Sequence, residues 1–136
     1  MAYNAIIHGA NGILYWGMKY TPQPSSFISN LYKVTNELSD MLEILSTPDS
    51  DIQINKRYHE LMYSVDAGVE LIVKEVNSNV YLLTVNSDKN PVKVSLSNIG
   101  RYESARVLKE NRTITLENGE FTDTYKPFDV HIYELK

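Results

Sequence analysis

Gly12-Ile13-Leu14-Tyr15-Trp16-Gly17 is an apolar run bounded by two glycines, and this pattern predicts one short buried β-strand. The peptide groups of a buried strand need hydrogen bonds to neighbouring strands, so a strand of this kind is not stable alone. The residues before it have a helical pattern, and the next strand-like run starts only after residue 50. The sequence therefore predicts that this strand belongs to a larger fold, of which the chain is the tail.

Helical patterns lie on both sides of the predicted strand. Residues 2–8 repeat small and apolar side chains on one helical face. A longer helix is predicted over residues 26–46, after a loop rich in proline and serine. Its apolar stripe follows the helical period and consists of Phe27, Leu31, Val34, Leu38, Met41, Leu42 and Leu45. Residues 1–50 thus form a first unit made of a helix end, a strand at 12–17 and a long helix.

From residue 51 onward the pattern changes to the period of two that is typical of β-strands. Short strands are predicted over residues 58–65, 69–76, 80–85, 92–96, 105–108, 113–116 and 130–135. Turn sequences such as Asn77-Ser78-Asn79 and Glu117-Asn118-Gly119-Glu120 separate them. The pattern predicts an antiparallel β-sandwich of seven or eight strands over residues 51–136, and a chain that is α+β by content but mostly sheet.

Composition excludes several classes of function. The net charge of −4 and the scattered basic residues disfavour nucleic acid and anionic membranes as partners. The chain has no cysteine, which excludes disulfides and cysteine-ligated zinc. We see no signal peptide and no apolar run of the roughly 20 residues that span a bilayer. The sequence predicts a soluble chain and leaves its compartment open.

No catalytic motif stands out. The three histidines, His8, His59 and His131, match no metal-ligand spacing, and each is expected to be structural or exposed. The sequence has no glycine-rich phosphate loop and no Gly-x-Ser-x-Gly turn. We therefore predict no catalytic residue, no metal and no cofactor in this chain.

Trp16 is the one candidate for substrate binding. It is the only tryptophan, and it ends the predicted strand before an irregular loop. In α/β barrels, substrates sit at the carboxyl ends of the strands, and an indole ring offers a flat face to a sugar. A core or interface aromatic is the other interpretation, and the sequence leaves both open.

Three parts of the chain resemble the carboxyl end of glycoside hydrolases with a (β/α)8 catalytic barrel. The first is the pattern His-Gly-Ala-x-Gly-Ile-x-Tyr-Trp, here His8 to Trp16, and the second is the long helix at 26–46. The third is the tail, with Asn118-Gly119-Glu120-Phe121-Thr122-Asp123 and the segment Pro127 to Tyr133. The resemblance implies that residues 1–50 are a barrel remnant and that the sandwich is an accessory domain.

The resemblance also implies a role for Trp16, which would line the sugar subsite next to the cleaved bond. The two catalytic glutamates of such enzymes come from earlier barrel strands, and nothing in this chain matches them. The chain is therefore expected to be a fragment that is catalytically incomplete by itself, from a parent that is a glycosidase. A truncated reading frame would have this appearance, and more (β/α) units would then be encoded upstream.

Two other interpretations stay open. The chain could be a free-standing module that binds carbohydrate, or another protein, through aromatic side chains on one face of the sandwich. It could also complete its first unit by association, because an unpaired strand at 13–15 invites pairing between copies. We therefore expect a homo-oligomer, formed through the exposed strand and helix, with carbohydrate as the candidate ligand.

Overall fold

The computed structural model describes residues 1–15, 24–59 and 67–136 of the chain. This part contains three helices, which are α1 (Ala2–Ile7), α2 (Pro24–Asp40) and α3 (Leu42–Ser46). It also contains eight strands: β1 (Asn55–His59), β2 (Val69–Val76), β3 (Asn79–Asn86), β4 (Val92–Ser97), β5 (Ser104–Val107), β6 (Arg112–Thr115), β7 (Phe121–Tyr125) and β8 (Val130–Leu135). With 22% of residues in helix and 41% in strand, the predicted α+β class dominated by sheet is confirmed.

The strands form two antiparallel sheets. One has three strands in the order β1-β4-β7, and the other has five in the order β2-β3-β8-β5-β6. Between β2 and β3 the chain turns at Asn77 and Ser78, whose φ angles are +50° and +67°. Two successive positive φ angles match the right-handed twist of the flanking strands, which explains why this predicted turn forms a tight hairpin.

The main core lies between the two sheets. In β4, Val92, Val94 and Leu96 are buried there, whereas Lys93 between the first two is exposed. The same alternation places Leu82 of β3 in this core, fully buried. Burying one such side chain contributes about 1.5–3 kcal/mol, so these strands stabilise the sandwich by their alternate residues.

The N-terminal helices cover the outer face of the five-stranded sheet. Leu83 of β3 and Ile132 of β8 are buried on that face, where they form a second core with Tyr3 of α1 and Met41. The central strands β3 and β8 are therefore buried on both faces. This double burial joins the first unit of the chain to the sandwich.

A buried lysine fixes the connection between the helices and the sheet. Lys74 of β2 is 6% exposed, and its ammonium group donates a hydrogen bond of 2.6 Å to the carbonyl of Thr47. The same group forms an ion pair of 2.5 Å with Asp49. The amide of Ser50 also donates to the carbonyl of Val73 at 2.8 Å. These contacts cover part of the edge of β2 and hold α3 against the sheet.

The strand predicted at 12–17 is not formed over its described part. Residues 12–15 belong to no strand, and Leu14 is 88% exposed. The physical reason is the one that the sequence raised: no neighbouring strand among the described residues accepts its peptide hydrogen bonds. Trp16 and Gly17 lie outside the described residues, so the end of this prediction and the barrel origin of residues 1–50 stay predictions.

The helix predicted over 26–46 is present but interrupted. α2 begins at Pro24, α3 ends at Ser46, and Met41 separates the two helices with φ −108° and ψ 14°. Met41 is buried in the second core, so the break lets the chain bend onto the sheet at this side chain. Within the described ranges, no helix has both the length and the apolar character that crossing a bilayer requires.

The strand boundaries show what local pattern can and cannot resolve. β2 and β8 begin and end where the sequence predicted. β7 was not predicted, because its polar Thr-Asp-Thr centre hides the two buried aromatic residues at its ends, Phe121 and Tyr125. The strand predicted at 58–65 overlaps β1 at two residues, and residues 60–66 lie outside the described part.

Replacing Leu82 by alanine tests the main core. We expect the free energy of unfolding to fall by about 2–5 kcal/mol, because the change leaves a cavity at a fully buried position. The control is Ile52→Ala, since Ile52 is exposed and belongs to neither core, and its loss should change stability by less than about 0.5 kcal/mol. Urea denaturation followed by circular dichroism measures both, and equal effects of the two variants would contradict the assigned core.

Candidate functional site

Trp16, the predicted sugar-binding residue, lies outside the described residues. Its neighbour Tyr15 is the last described residue of that segment and is half-buried. Tyr15 lines a groove of about 520 Å³ between residues 13–15, α1 and the loops at the ends of β3 and β7. A volume of this size lies within the range of about 300–1,000 Å³ that small ligands occupy.

We call this cavity the Tyr15–Phe128 groove, after the two aromatic residues in its lining. Its other lining residues include Asn4, Ile13, Asn86 and Ser87. None of the lining side chains that the structure describes carries a formal charge. The groove therefore combines aromatic, apolar and neutral polar groups, which is the usual character of a site for a neutral ligand.

Phe128 has an unusual backbone conformation. It lies in the turn between β7 and β8 with φ +59°, in the left-handed region that bulky residues rarely adopt. Such a conformation costs about 1–3 kcal/mol, and it persists only where the surrounding structure enforces it. Its side chain is nevertheless 63% exposed, so the strain is not compensated by burial of the ring.

The loops that carry Phe128 are tied together by a buried asparagine. Asn86 is fully buried, and its amide group donates hydrogen bonds of 2.9 Å to the carbonyls of Asn90 and Lys126. The backbone amide of Phe128 donates to the carbonyl of Asp88 at 3.3 Å. The backbone of this turn is therefore held by hydrogen bonds to the neighbouring loop.

A polar pair lies on the opposite side of the groove. Asn4 of α1 donates a hydrogen bond of 2.5 Å from its amide group to the hydroxyl of Ser87. This bond uses one proton of the amide and one lone pair of the hydroxyl. The Asn4 carbonyl oxygen and the Ser87 hydroxyl proton are not used in this bond, and both residues line the groove.

A second cluster of chemically active side chains closes one edge of the sandwich. Arg112 of β6 binds Asp123 of β7 through two hydrogen bonds of 3.1 and 2.8 Å. Its third nitrogen donates to Glu110 at 2.7 Å. Because β6 and β7 are edge strands of different sheets, this arginine joins the two sheets across their open side.

His131 and two tyrosines extend this cluster into the core. The Nδ1 atom of His131 lies 2.5 Å from a carboxylate oxygen of Glu110, and the side chain is 93% buried. The hydroxyl of Tyr133 donates to Asp123 at 2.7 Å and lies 2.7 Å from the hydroxyl of Tyr125. Burial acts to raise the pKa of Asp123, but hydrogen bonds from Arg112 and Tyr133 hold it below its ordinary value.

The geometry of this edge cluster does not support glycoside hydrolysis. A general acid for that reaction needs a raised pKa and access to the substrate, with a second carboxylate opposite. Asp123 is instead held ionised, and both it and Glu110 are bound to Arg112. Within the described ranges, no group of three or more histidine and acidic residues is arranged to hold a metal ion.

The other two histidines lie apart from this cluster. The ring of His8 at the end of α1 contacts the carbonyl of Asn4 at 2.8 Å and is exposed. His59 of β1 contacts the hydroxyl of Ser95 at 2.6 Å. The sequence predicted neither the edge cluster nor the groove that Phe128 lines, because their members come from separate strands and turns.

Comparisons with known proteins reveal similarity at the level of the fold. No family model and no curated protein matches the chain. A crystal structure of AmyP E221Q in complex with maltotriose matches with a TM-score of 0.57 and 14% sequence identity. The match covers 79% of this chain and 21% of the AmyP chain, so our chain corresponds to about a fifth of that protein. At this identity the similarity establishes a shared fold.

The edge cluster predicts a specific response to pH. The pKa of Asp123 is lower in the folded state than its ordinary value near 4. The ionised carboxylate therefore stabilises the fold at pH values above about 4. This stabilisation is lost as the pH falls through the lowered pKa. Asp123→Asn should therefore reduce the free energy of unfolding by about 1–3 kcal/mol at pH 7. The difference from wild type should shrink towards pH 2.

Urea denaturation at several pH values measures this difference. The matched control is Asp40→Asn, because Asp40 forms an exposed ion pair with Lys109 and should contribute less than about 1 kcal/mol at any pH. A constant difference between Asp123→Asn and wild type from pH 7 to pH 2 would show that ionisation of Asp123 is not the stabilising feature.

Proposed function

We propose that the chain is the carboxyl-terminal accessory β-sandwich of a glycoside hydrolase, together with the last helical elements of its catalytic barrel. The resemblance of His8–Trp16 and of the tail to such enzymes supports this function. The fold shared with part of AmyP, whose crystal structure contains maltotriose, supports it independently of sequence. In this function the sandwich braces a catalytic domain and contacts its carbohydrate.

The single observation that carries the proposal is the incompletely covered apolar side of α2. Phe27, Leu31 and Val34 follow the helical stripe, yet they are half-buried and belong to neither core of the described residues. None of the described side chains of α2 is buried, although the helix has a clear apolar face. A helix of this kind gains most of its stability by packing its apolar face on a partner.

More apolar surface of the same unit continues this face. Leu14 is 88% exposed and Leu42 is 65% exposed. A second groove of about 680 Å³ lies between residues 10–15 and the helices, lined by apolar side chains such as Ile6, Leu38 and Leu45. Contiguous exposed apolar surface is typical of an interaction site. A neighbouring barrel helix and strand would fill it.

The same proposal is consistent with the bonding of the carboxylates in the edge cluster. In the edge cluster the carboxylates of Glu110 and Asp123 bind Arg112, which makes them part of the brace between the sheets. Hydrolysis by the parent enzyme would then depend on carboxylates of the barrel. By itself the chain would bind carbohydrate or position the catalytic domain, and it would not cleave a glycosidic bond.

A free-standing carbohydrate-binding module is the second candidate function. Phe128 favours it, since an aromatic ring held exposed on a strained turn is a feature that folding alone does not require. In this function the chain would bind sugar without a catalytic partner. The two candidates differ in whether the apolar side of α2 needs a partner.

Activity of the purified chain is the first test. We expect no cleavage of maltotriose or of nitrophenyl glycosides above the buffer blank, because the acidic pair at the sandwich edge is bound to Arg112. Release of nitrophenolate and chromatography of the sugars measure this. Cleavage that Glu110→Gln or Asp123→Asn abolishes would overturn the proposed accessory function.

Self-association of the purified chain is the second test. With no barrel present, the apolar side of α2 should pair with another copy, so we expect dimers or larger oligomers whose population rises with concentration. The double variant Leu31→Gln and Val34→Gln should shift the chain to monomer. At concentrations at which both proteins are monomeric, its melting temperature should stay close to that of wild type, because neither side chain is in a core.

Light scattering coupled to size exclusion measures the oligomeric state. The control is Lys33→Gln, which changes an exposed residue of α2 off the apolar stripe and should leave the association unchanged. A monomer at all concentrations, or a double variant that unfolds, would show that the stripe is not an interaction surface.

A further inference from the structure

We propose that the Tyr15–Phe128 groove binds a neutral oligosaccharide, with the ring of Phe128 stacking on the apolar face of one pyranose unit. This inference rests on the proposed function and adds a ligand site within it. The groove lies where the first unit meets the sandwich, between residues 13–15 and the loops after β3 and β7.

The first argument is the conformation of Phe128. Its φ of +59° is unfavourable for a bulky residue, and glycine would remove that strain. Burial of the ring offsets little of this backbone strain, because Phe128 is 63% exposed. An aromatic residue that is kept in a strained and exposed conformation is selected for contact with a partner, since the fold gains little from it.

The second argument is that the turn which carries the ring is held in place. Asn86 fixes the two loops through the carbonyls of Asn90 and Lys126, and the amide of Phe128 is bound to Asp88. A ligand that stacks on the ring therefore pays little entropy for ordering the loops.

The third argument is the chemistry of the rest of the lining. Tyr15 supplies a second aromatic wall, and the pair of Asn4 and Ser87 supplies an amide oxygen and a hydroxyl proton at the rim. The described lining side chains are aromatic, apolar or neutral polar groups. A pyranose has an apolar face of C–H groups and a rim of neutral hydroxyls, so it matches both parts of the groove.

The experiment titrates the full chain with maltotriose. Isothermal calorimetry gives the affinity, and saturation-transfer NMR shows which sugar protons lie against the protein. We expect binding in which the C–H protons of at least one glucose ring receive saturation. Glucose 6-phosphate serves as the charged probe, and we expect it to bind no more tightly than glucose.

The deciding variant is Phe128→Gly, which removes the ring and relieves the positive φ at once. We expect the affinity for maltotriose to fall at least tenfold while the melting temperature stays equal to that of wild type or rises. Tyr15→Ala should also weaken binding. The control is Tyr32→Ala, because Tyr32 is an equally exposed aromatic residue on α2, at 65%, and it does not line the groove.

The outcomes separate this site from the proposed function. If Phe128→Gly binds maltotriose as tightly as wild type does, the groove is not the binding site. The chain would then bind the sugar elsewhere. The absence of any maltotriose binding would overturn the site as well, whereas the accessory function is decided separately by the hydrolysis and self-association tests. Tighter binding of glucose 6-phosphate than of glucose would overturn the neutral character of the ligand.

Discussion

Burial of the two central strands on both faces is the constraint on which the rest of the structure depends. β3 and β8 face the second sheet on one side, where Leu82 and Tyr133 are fully buried, and the helices on the other, where Leu83 and Ile132 are buried. A sheet with two apolar faces needs a cover on each. The helices of residues 1–46 are therefore part of one packing unit with the sandwich, and they cannot be removed without exposing Leu83.

The helices bury the outer face of the sheet, but part of their own apolar surface stays without a packing partner among the described residues. α1, Met41 and α3 meet the sheet through a few apolar side chains, and the apolar stripe of α2 continues beyond them without entering either core of the described residues. An apolar helical face that packs on a sheet at one end and continues beyond it at the other is typical of a helix that meets a further partner. This is the physical basis for the accessory function that we propose, and for its dependence on a catalytic neighbour.

Two groups of polar side chains in the described part of the chain differ in what they contact. The carboxylates of the edge cluster, in Glu110 and Asp123, are bound by Arg112, which joins the edges of the two sheets. The neutral groups of Asn4 and Ser87 lie instead at the rim of a groove whose aromatic side is held by a rigid loop. In the described part, the charged groups of the edge cluster thus join the sheets, while neutral groups line the groove that we propose as a sugar site.

The sequence by itself determined the class of the fold, the sandwich and the limits of β2 and β8, because alternation and turn residues are local signals. It also located the long helix, though not its break at Met41, which depends on the sheet below. Only the tertiary structure decided that residues 12–15 form no strand, since strand formation requires partners. It alone brought Arg112 to Asp123, and Phe128 to Tyr15, because these pairs are distant in sequence and meet only when the sheets and loops pack.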